Sequence, residues 1–189
     1  MNNLPIIIGV TGASGIIYAV KILEALKMLN IKTILVVSSM GFFTAREELD
    51  MSKEKLIELA DEYYPNNSLH ASISSGSFLT RGMIIAPCSI KTLSSVANSY
   101  NDNLITRSAD VILKERRKLV LMVRETPLHA GHIDLMQKVT LSGGIIMPPM
   151  PAFYNKPQSI DDIINHSVSR TLDLFSIENN ITKRWGVDE

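Results

Sequence analysis

Two adjacent residues, Arg124 and Glu125, close the apolar run LVLMV at positions 119–123 of this 189-residue chain. A β-type run that ends abruptly in a cation and a carboxylate sets an anion clamp beside an acid/base group. Two more runs end in the same way. IIIGV at 6–10 passes into TGASG at 11–15, where Gly12 and Gly15 permit a tight turn and Ser14 adds a hydroxyl. Backbone amides at the start of the following helix make an anion seat there. MIIAPC at 83–88 passes into SIKT at 89–92, with Ser89 and Thr92 at a strand-to-helix junction suited to phosphate. In open α/β sheets ligands lie beyond the carboxyl ends of the strands. Three such ends on one edge mark an enzyme or a cofactor-binding protein.

Each motif also has a plainer reading. The glycine turn is compatible with a purely structural role, and its spacing departs from G-x-G-x-x-G. The second strand ends in Ser38 and Ser39 rather than in an acidic residue. Hydroxyls there suit a phosphate or a flavin edge better than a ribose diol. Ser89 also reads as a simple helix N-cap. Cys88 has no histidine in a partnered motif and reads as a small buried hydrophobe, not a nucleophile. In the cationic segment 107–125, Arg116, Arg117 and Lys118 read as a solvated helix end. Arg107 and Lys114 stand two helical turns apart on one face, and two cations so placed recruit an anion, phosphate first. His129 and His132 lack a third ligand at useful spacing, so no metal is expected. The segment 147–150, with Pro148 and Pro149, reads as a rigid apolar wall.

These residues need a scaffold, and the chain is long enough for one α/β domain over 1–189. Lys+Arg and Asp+Glu both number 19. Zero formal net charge removes the usual electrostatic argument for nucleic acid or an anionic membrane surface. No apolar run is long enough to span a bilayer, and the N-terminus lacks the basic region of a secretory signal. With one cysteine no internal disulfide forms, and a reducing cytoplasm is the expected location. Strands are expected at 6–10, 32–38, 82–86, 119–123 and 144–147. Helices are expected at 16–30, 42–48, 51–64 (Ser52 as N-cap), 90–99, 109–115, 132–140 and 160–177, with a polar connector at 65–77. This alternation predicts a doubly wound, three-layer αβα parallel sheet. The Pro-rich segment 147–157 suits a lid or substrate-contact loop. The polar tail 179–189 is expected to pack on a neighbouring subunit through Trp185.

Taken together, GVTGASG at 9–15, SSGSF at 74–78, APCSIKTL at 86–93, RSADVILKERR at 107–117, LVLMVRETPL at 119–128 and MPPMPAFYNKPQSIDDII at 147–164 resemble the UbiX-type flavin prenyltransferases. Older names for that family are phenylacrylic acid decarboxylase and hydroxyarylic acid decarboxylase (one of its subunits). The motifs run in family order along nearly the whole chain.

The resemblance implies a flavodoxin-like fold binding FMN, assembled as a homododecamer of trimers. It implies metal-independent transfer of a dimethylallyl group from dimethylallyl monophosphate to N5 and then C6 of reduced FMN. The product, prenylated FMN, would serve a UbiD-type decarboxylase. Carried over by position, Gly12, Ala13, Ser14, Ser38, Ser89, Ile90, Lys91, Thr92 and Arg124 would contact FMN. Arg107, Lys114, Tyr154 and Arg170 would hold the prenyl phosphate, Arg107 and Lys114 reaching in from a neighbouring subunit. Ser14, Lys114, Glu125 and Glu48 would be catalytic, the two glutamates as acid/base groups. The family usually reads SKAA after the second strand, whereas here SSMGFFTAREEL stands, so Glu47 and Glu48 compete; a count of ten from Ser38 favours Glu48. The alternatives are an FMN-binding decarboxylase, such as one acting on a cysteinyl peptide, or a decarboxylase subunit of the same fold. Flavodoxin-like electron transfer would call for an acidic surface, which a neutral chain lacks.

Overall fold

Isoleucines and valines in unbroken runs bury both faces of a strand, and period-two alternation sends successive side chains to opposite cores. In the computed structural model, which describes residues 4–182, strand β1 (Ile6–Val10) is buried throughout. Its Ile6, Ile8 and Val10 enter one core and Ile7 the other. Strands β2 (Thr33–Val37), β3 (Glu62–Pro65), β4 (Gly82–Cys88), β5 (Lys118–Val123) and β6 (Ile145–Ile146) complete a parallel sheet of order β3-β2-β1-β4-β5-β6.

Helices α1 (Ile16–Met28), α2 (Ser39–Leu49), α3 (Lys53–Ile57) and α7 (Ile160–Leu174) contribute to the core on one face. Helices α4 (Ile90–Ala97), α5 (Leu104–Lys114) and α6 (Ala130–Leu141) contribute to the core on the other. The chain builds outward from β1 to β3, returns to β4 and builds outward again to β6. Strand order therefore reverses between β1 and β4, and the crevice at their carboxyl ends is where such folds place ligands. The expected three-layer αβα architecture is present.

One element corrects the sequence reading. Residues 51–64 are not a helix: α3 has five residues, capped by Ser52 as expected, and is followed by edge strand β3. Tyr63 packs toward one core and Tyr64 toward the other, the alternation of a strand. The 65–77 connector contains a 3-10 turn at Ser72–Ser74. Helix α5 begins at Leu104, ahead of the expected 109, because Asn103 Oδ1 accepts from the Thr106 amide at 3.2 Å. Asn179, at the head of the tail, is buried and accepts from Ser169 Oγ at 2.8 Å. Trp185 lies outside the described residues. No helix among the described residues is long and apolar enough to cross a membrane.

Candidate functional site

The loop after β1 is stitched to the loop after β4 by a residue that sequence reasoning passed over. Buried Thr11 donates from Oγ1 to the Pro87 carbonyl at 2.7 Å and accepts from the Ser89 amide at 2.9 Å. The two strand ends at the switch point are thus tied directly to each other. Ser38 caps α2, accepting from the Gly41 amide at 3.0 Å, and Ser89 caps α4, accepting from the Thr92 amide at 3.4 Å. Each cap fixes a serine at a helix start whose first amides lack intrahelical partners. The positive ends of two helix dipoles thereby meet the same edge. The amides of Ile90 and Lys91 belong to that first turn. The Lys91 ammonium turns away to Asp102 at 3.2 Å.

Arg124 follows directly, its amide bonded to the Cys88 carbonyl at 3.1 Å. Its exposed guanidinium has no hydrogen-bond or ion-pair partner among the described residues. A guanidinium on the strand end next to the Ser89 cap offers a planar fork of donors, which fits a phosphate monoester. The donors of Ser38, Ser89, Thr92 and Arg124 therefore suit a flavin mononucleotide phosphate. Glu125 lies beside Arg124, exposed, with Oε1 accepting from the Thr126 amide at 3.0 Å. Cys88 is fully buried, and burial pushes its thiol well above the usual range. Such a thiol carries little nucleophilic thiolate. Cys88→Ala is expected to keep full activity, and native Cys88 to resist thiol labelling at pH 8 until the chain is unfolded; labelling kinetics check this.

The other anion seat, at the start of α1, is filled by the chain itself. Glu48 Oε2 accepts from the Gly15 amide at 2.9 Å and the Ile16 amide at 3.1 Å. Gly15 makes this possible with φ 102° and ψ 32°. Of the two competing glutamates, Glu48 is the one that reaches the glycine loop, and it lies next to exposed Ser14. The slot where dinucleotide folds bind pyrophosphate is thereby closed by a carboxylate.

The remaining candidates form two other groups. Arg107 donates to the Ser74 carbonyl at 3.2 Å and pairs with Asp110 at 3.3 Å. Lys114 pairs with Glu115 and lies along Gly76. Arg117 corrects the reading of a solvated helix end: it is half-buried and donates to the carbonyls of Gly76 at 2.6 Å and Phe78 at 2.7 Å. Three cations thus face the 74–78 loop. Lys114 lies near the amino edge of the sheet, since β5 starts at Lys118, while Arg124 follows the end of β5. At about 3.3 Å per residue, that strand alone separates the two by roughly 17 Å.

Tyr154 and Arg170 come together through a residue the sequence did not single out. The Tyr154 hydroxyl meets His166 Nε2 at 2.9 Å, and Arg170, one turn along α7, pairs with Asp173 at 2.7 Å. His129 and His132 stack at 3.6 Å between ring centroids, and no metal-holding cluster occurs among the described residues.

A switch-point crevice with hydroxyl-capped helix starts and an unpaired arginine defines a phosphate-binding α/β protein of the flavoprotein class. Known proteins agree with that assignment. The Flavoprotein family matches residues 1–171. A flavin prenyltransferase UbiX of Thauera aromatica is 53% identical over 184 residues, covering 97% of this chain and 95% of the relative. A crystal structure of AnUbiX (PadA1) in complex with FMN and dimethylallyl pyrophosphate superposes with TM-score 0.96 at 45% identity, covering 97% of this chain and 98% of the other. The dodecameric FMN-dependent UbiX-like decarboxylase of Escherichia coli O157:H7 superposes with TM-score 0.93 at 45% identity, covering 96% and 99%. The chain belongs to the Flavoprotein family and, within it, to the UbiX-type flavin prenyltransferases.

Proposed function

We propose that this protein is a metal-independent flavin prenyltransferase that joins a dimethylallyl group from a dimethylallyl phosphate to FMN. The observation that carries the reading is the row of donors along the carboxyl edge of the sheet, the Ser38 and Ser89 helix caps and an Arg124 with no partner among the described residues, in a chain so close to the UbiX relatives. Gly12, Ala13, Ser14, Ser38, Ser89–Thr92 and Arg124 would hold FMN, Lys91 through its backbone. Bound in reduced form, FMN supplies the nucleophilic N5 and C6 positions.

The residues of this chain do the rest. Tyr154 and Arg170, with Arg107 and Lys114 reaching in from a neighbouring subunit, hold the prenyl phosphate, and their charges and donors stabilise its departure as inorganic phosphate. Pro148, Pro149 and Phe153 form an apolar wall that keeps water from the developing allyl cation. Glu125 would accept the proton lost as the second carbon bond forms and return a proton to the prenyl double bond that this bond consumes, and Glu48 would order the Ser14 loop. We read the monophosphate as the donor, the working assembly as a dodecamer, the compartment as cytoplasm, and a UbiD-type decarboxylase as the client.

The test is anaerobic incubation of the purified protein with reduced FMN and dimethylallyl monophosphate, followed by mass analysis of the flavin. Gain of one C5 unit without a partner protein is expected. FMN bound but unmodified would overturn the transferase reading in favour of an FMN-binding decarboxylase, or of a non-catalytic component of one.

A further inference from the structure

Helix α7 carries His166, Arg170 and Asp173 at spacings of four and three, which stacks them on one face. The segment 147–159 leads Tyr154 back onto that face. The Tyr154 hydroxyl lies 2.9 Å from His166 Nε2, and the rings meet edge to face with centroids 5.7 Å apart. Arg170 is anchored by Asp173, whose side chain is only 15% exposed. The two residues read as phosphate ligands, Tyr154 and Arg170, are thus each held by a neighbour with no role assigned so far.

The direction of the Tyr154–His166 hydrogen bond depends on the ring. A bare Nε2 accepts the phenolic proton; a protonated Nε2 donates, and the phenolic O–H is released to another acceptor. Among the described residues, the groups facing His166 are Tyr154 from the loop and Arg170 and Asp173 from α7. Asp162, one turn back, is committed to the cap of α7, bonding the Gln158 and Ser159 amides. Helix α1, packed on the same helix, brings an internally paired Lys21–Glu24 to the side of Asn165. Desolvation first, and Arg170 second, hold the His166 pKa below its ordinary value against the pull of Asp173. Without ligand the ring therefore favours its neutral form. A phosphate arriving at Arg170 reverses the local sign and favours the imidazolium.

We propose that His166 is a positioning residue of the prenyl-phosphate site: its Nε2 holds the Tyr154 hydroxyl, and proton uptake by the ring turns that hydroxyl toward the phosphate. This rests on the reading of Tyr154 and Arg170 as phosphate-holding residues. The test compares the assembled wild type with His166→Phe, which fills the space without a hydrogen bond, and His166→Gln, which keeps a bonding group but does not titrate. His166→Phe is expected to raise KM for dimethylallyl monophosphate about fivefold to tenfold with kcat changed less than about twofold, as loss of one hydrogen bond predicts. His166→Gln is expected to recover KM at pH 8 but to lack the extra fall in KM that wild type shows toward pH 6. The difference between the two profiles removes the titration of the substrate itself.

A second readout needs no turnover. Calorimetry of inorganic phosphate binding in buffers of different ionisation enthalpy is expected to show greater proton uptake by wild type than by His166→Gln. A wild-type KM in His166→Phe, parallel pH profiles, or equal proton uptake overturns the inference. Absence of C5 transfer by the wild type overturns the prenyltransferase reading instead, and leaves the proton-uptake comparison to decide His166 on its own.

Discussion

Lys114→Ala lowers kcat/KM for prenyl transfer by about a hundredfold or more, the scale of removing one preorganised charge from a departing anion, while FMN affinity stays within about twofold. Rate measurements and flavin titration of the same preparation check both halves. The second half follows from position. Lys114 lies at the amino edge of the sheet beside the 74–78 loop, and Arg124 follows β5 at the carboxyl edge. A lysine side chain does not bridge the length of β5, so in this reading Lys114 serves the site of a neighbouring subunit. Arg107 and Arg117 fasten its platform by bonding the carbonyls of Ser74, Gly76 and Phe78. Mixed assemblies of Lys114→Ala chains with Arg124→Ala chains are therefore expected to regain activity that neither parent has, because some sites then receive an intact Lys114 and an intact Arg124. Verified mixed oligomers that stay inactive would place Lys114 outside any shared site.

The carboxyl-edge groups were legible because they depend on local chemistry. A continuous apolar run buried on both faces announces β1, β4 and β5, and the serine or glycine that follows β1 and β4 announces a helix start. Edge strand β3 was not legible. It has four residues, Glu62 and Pro65 at its ends are exposed, and the helical spacing of Leu56, Leu59 and Ala60 runs straight into it. Only pairing with β2 makes it a strand. Arg117 was misread for a related reason, since a charge run carries no sign of which carbonyls a distant loop will present. The Glu48 bonds span 32 and 33 residues of chain and depend on how α2 is seated, which spacing cannot supply. His166 was not singled out on the helix expected at 160–177; its position one turn before Arg170 was the available signal. The cations of Arg107 and Lys114 were correctly placed on one face, but the edge of the sheet they occupy became visible only with the topology.

Seating of α2 also governs the second large effect, that of Gly12→Ala. A β-carbon built on Gly12 would lie 2.4 Å from Met40 Cβ and 3.2 Å from the Met40 carbonyl carbon. Neither atom can swing aside, because both move only with the first turn of α2. That turn is fixed by the Ser38 cap at one end and by Thr44 Oγ1, which donates to the Gly12 carbonyl at 3.3 Å, at the other. Making room for a methyl shifts α2 as a body, and with it Ser38 and Glu48. The expected cost is about 1–3 kcal/mol of stability, the scale of overpacking a fitted contact, read by urea unfolding of the flavin-free protein. FMN affinity is expected to fall at least about tenfold, since the Ser38 hydroxyl and the α2 start leave their place at the carboxyl edge of the sheet. Met40→Gly removes the obstructing β-carbon at a cost near ~1 kcal/mol for glycine inside a helix. In the double variant Gly12→Ala/Met40→Gly the two changes should be strongly non-additive, with FMN affinity recovered toward that of Met40→Gly alone. Additive losses would mean that Gly12 matters through its own backbone rather than through the approach of α2, and that the serine cap is positioned by something other than this contact.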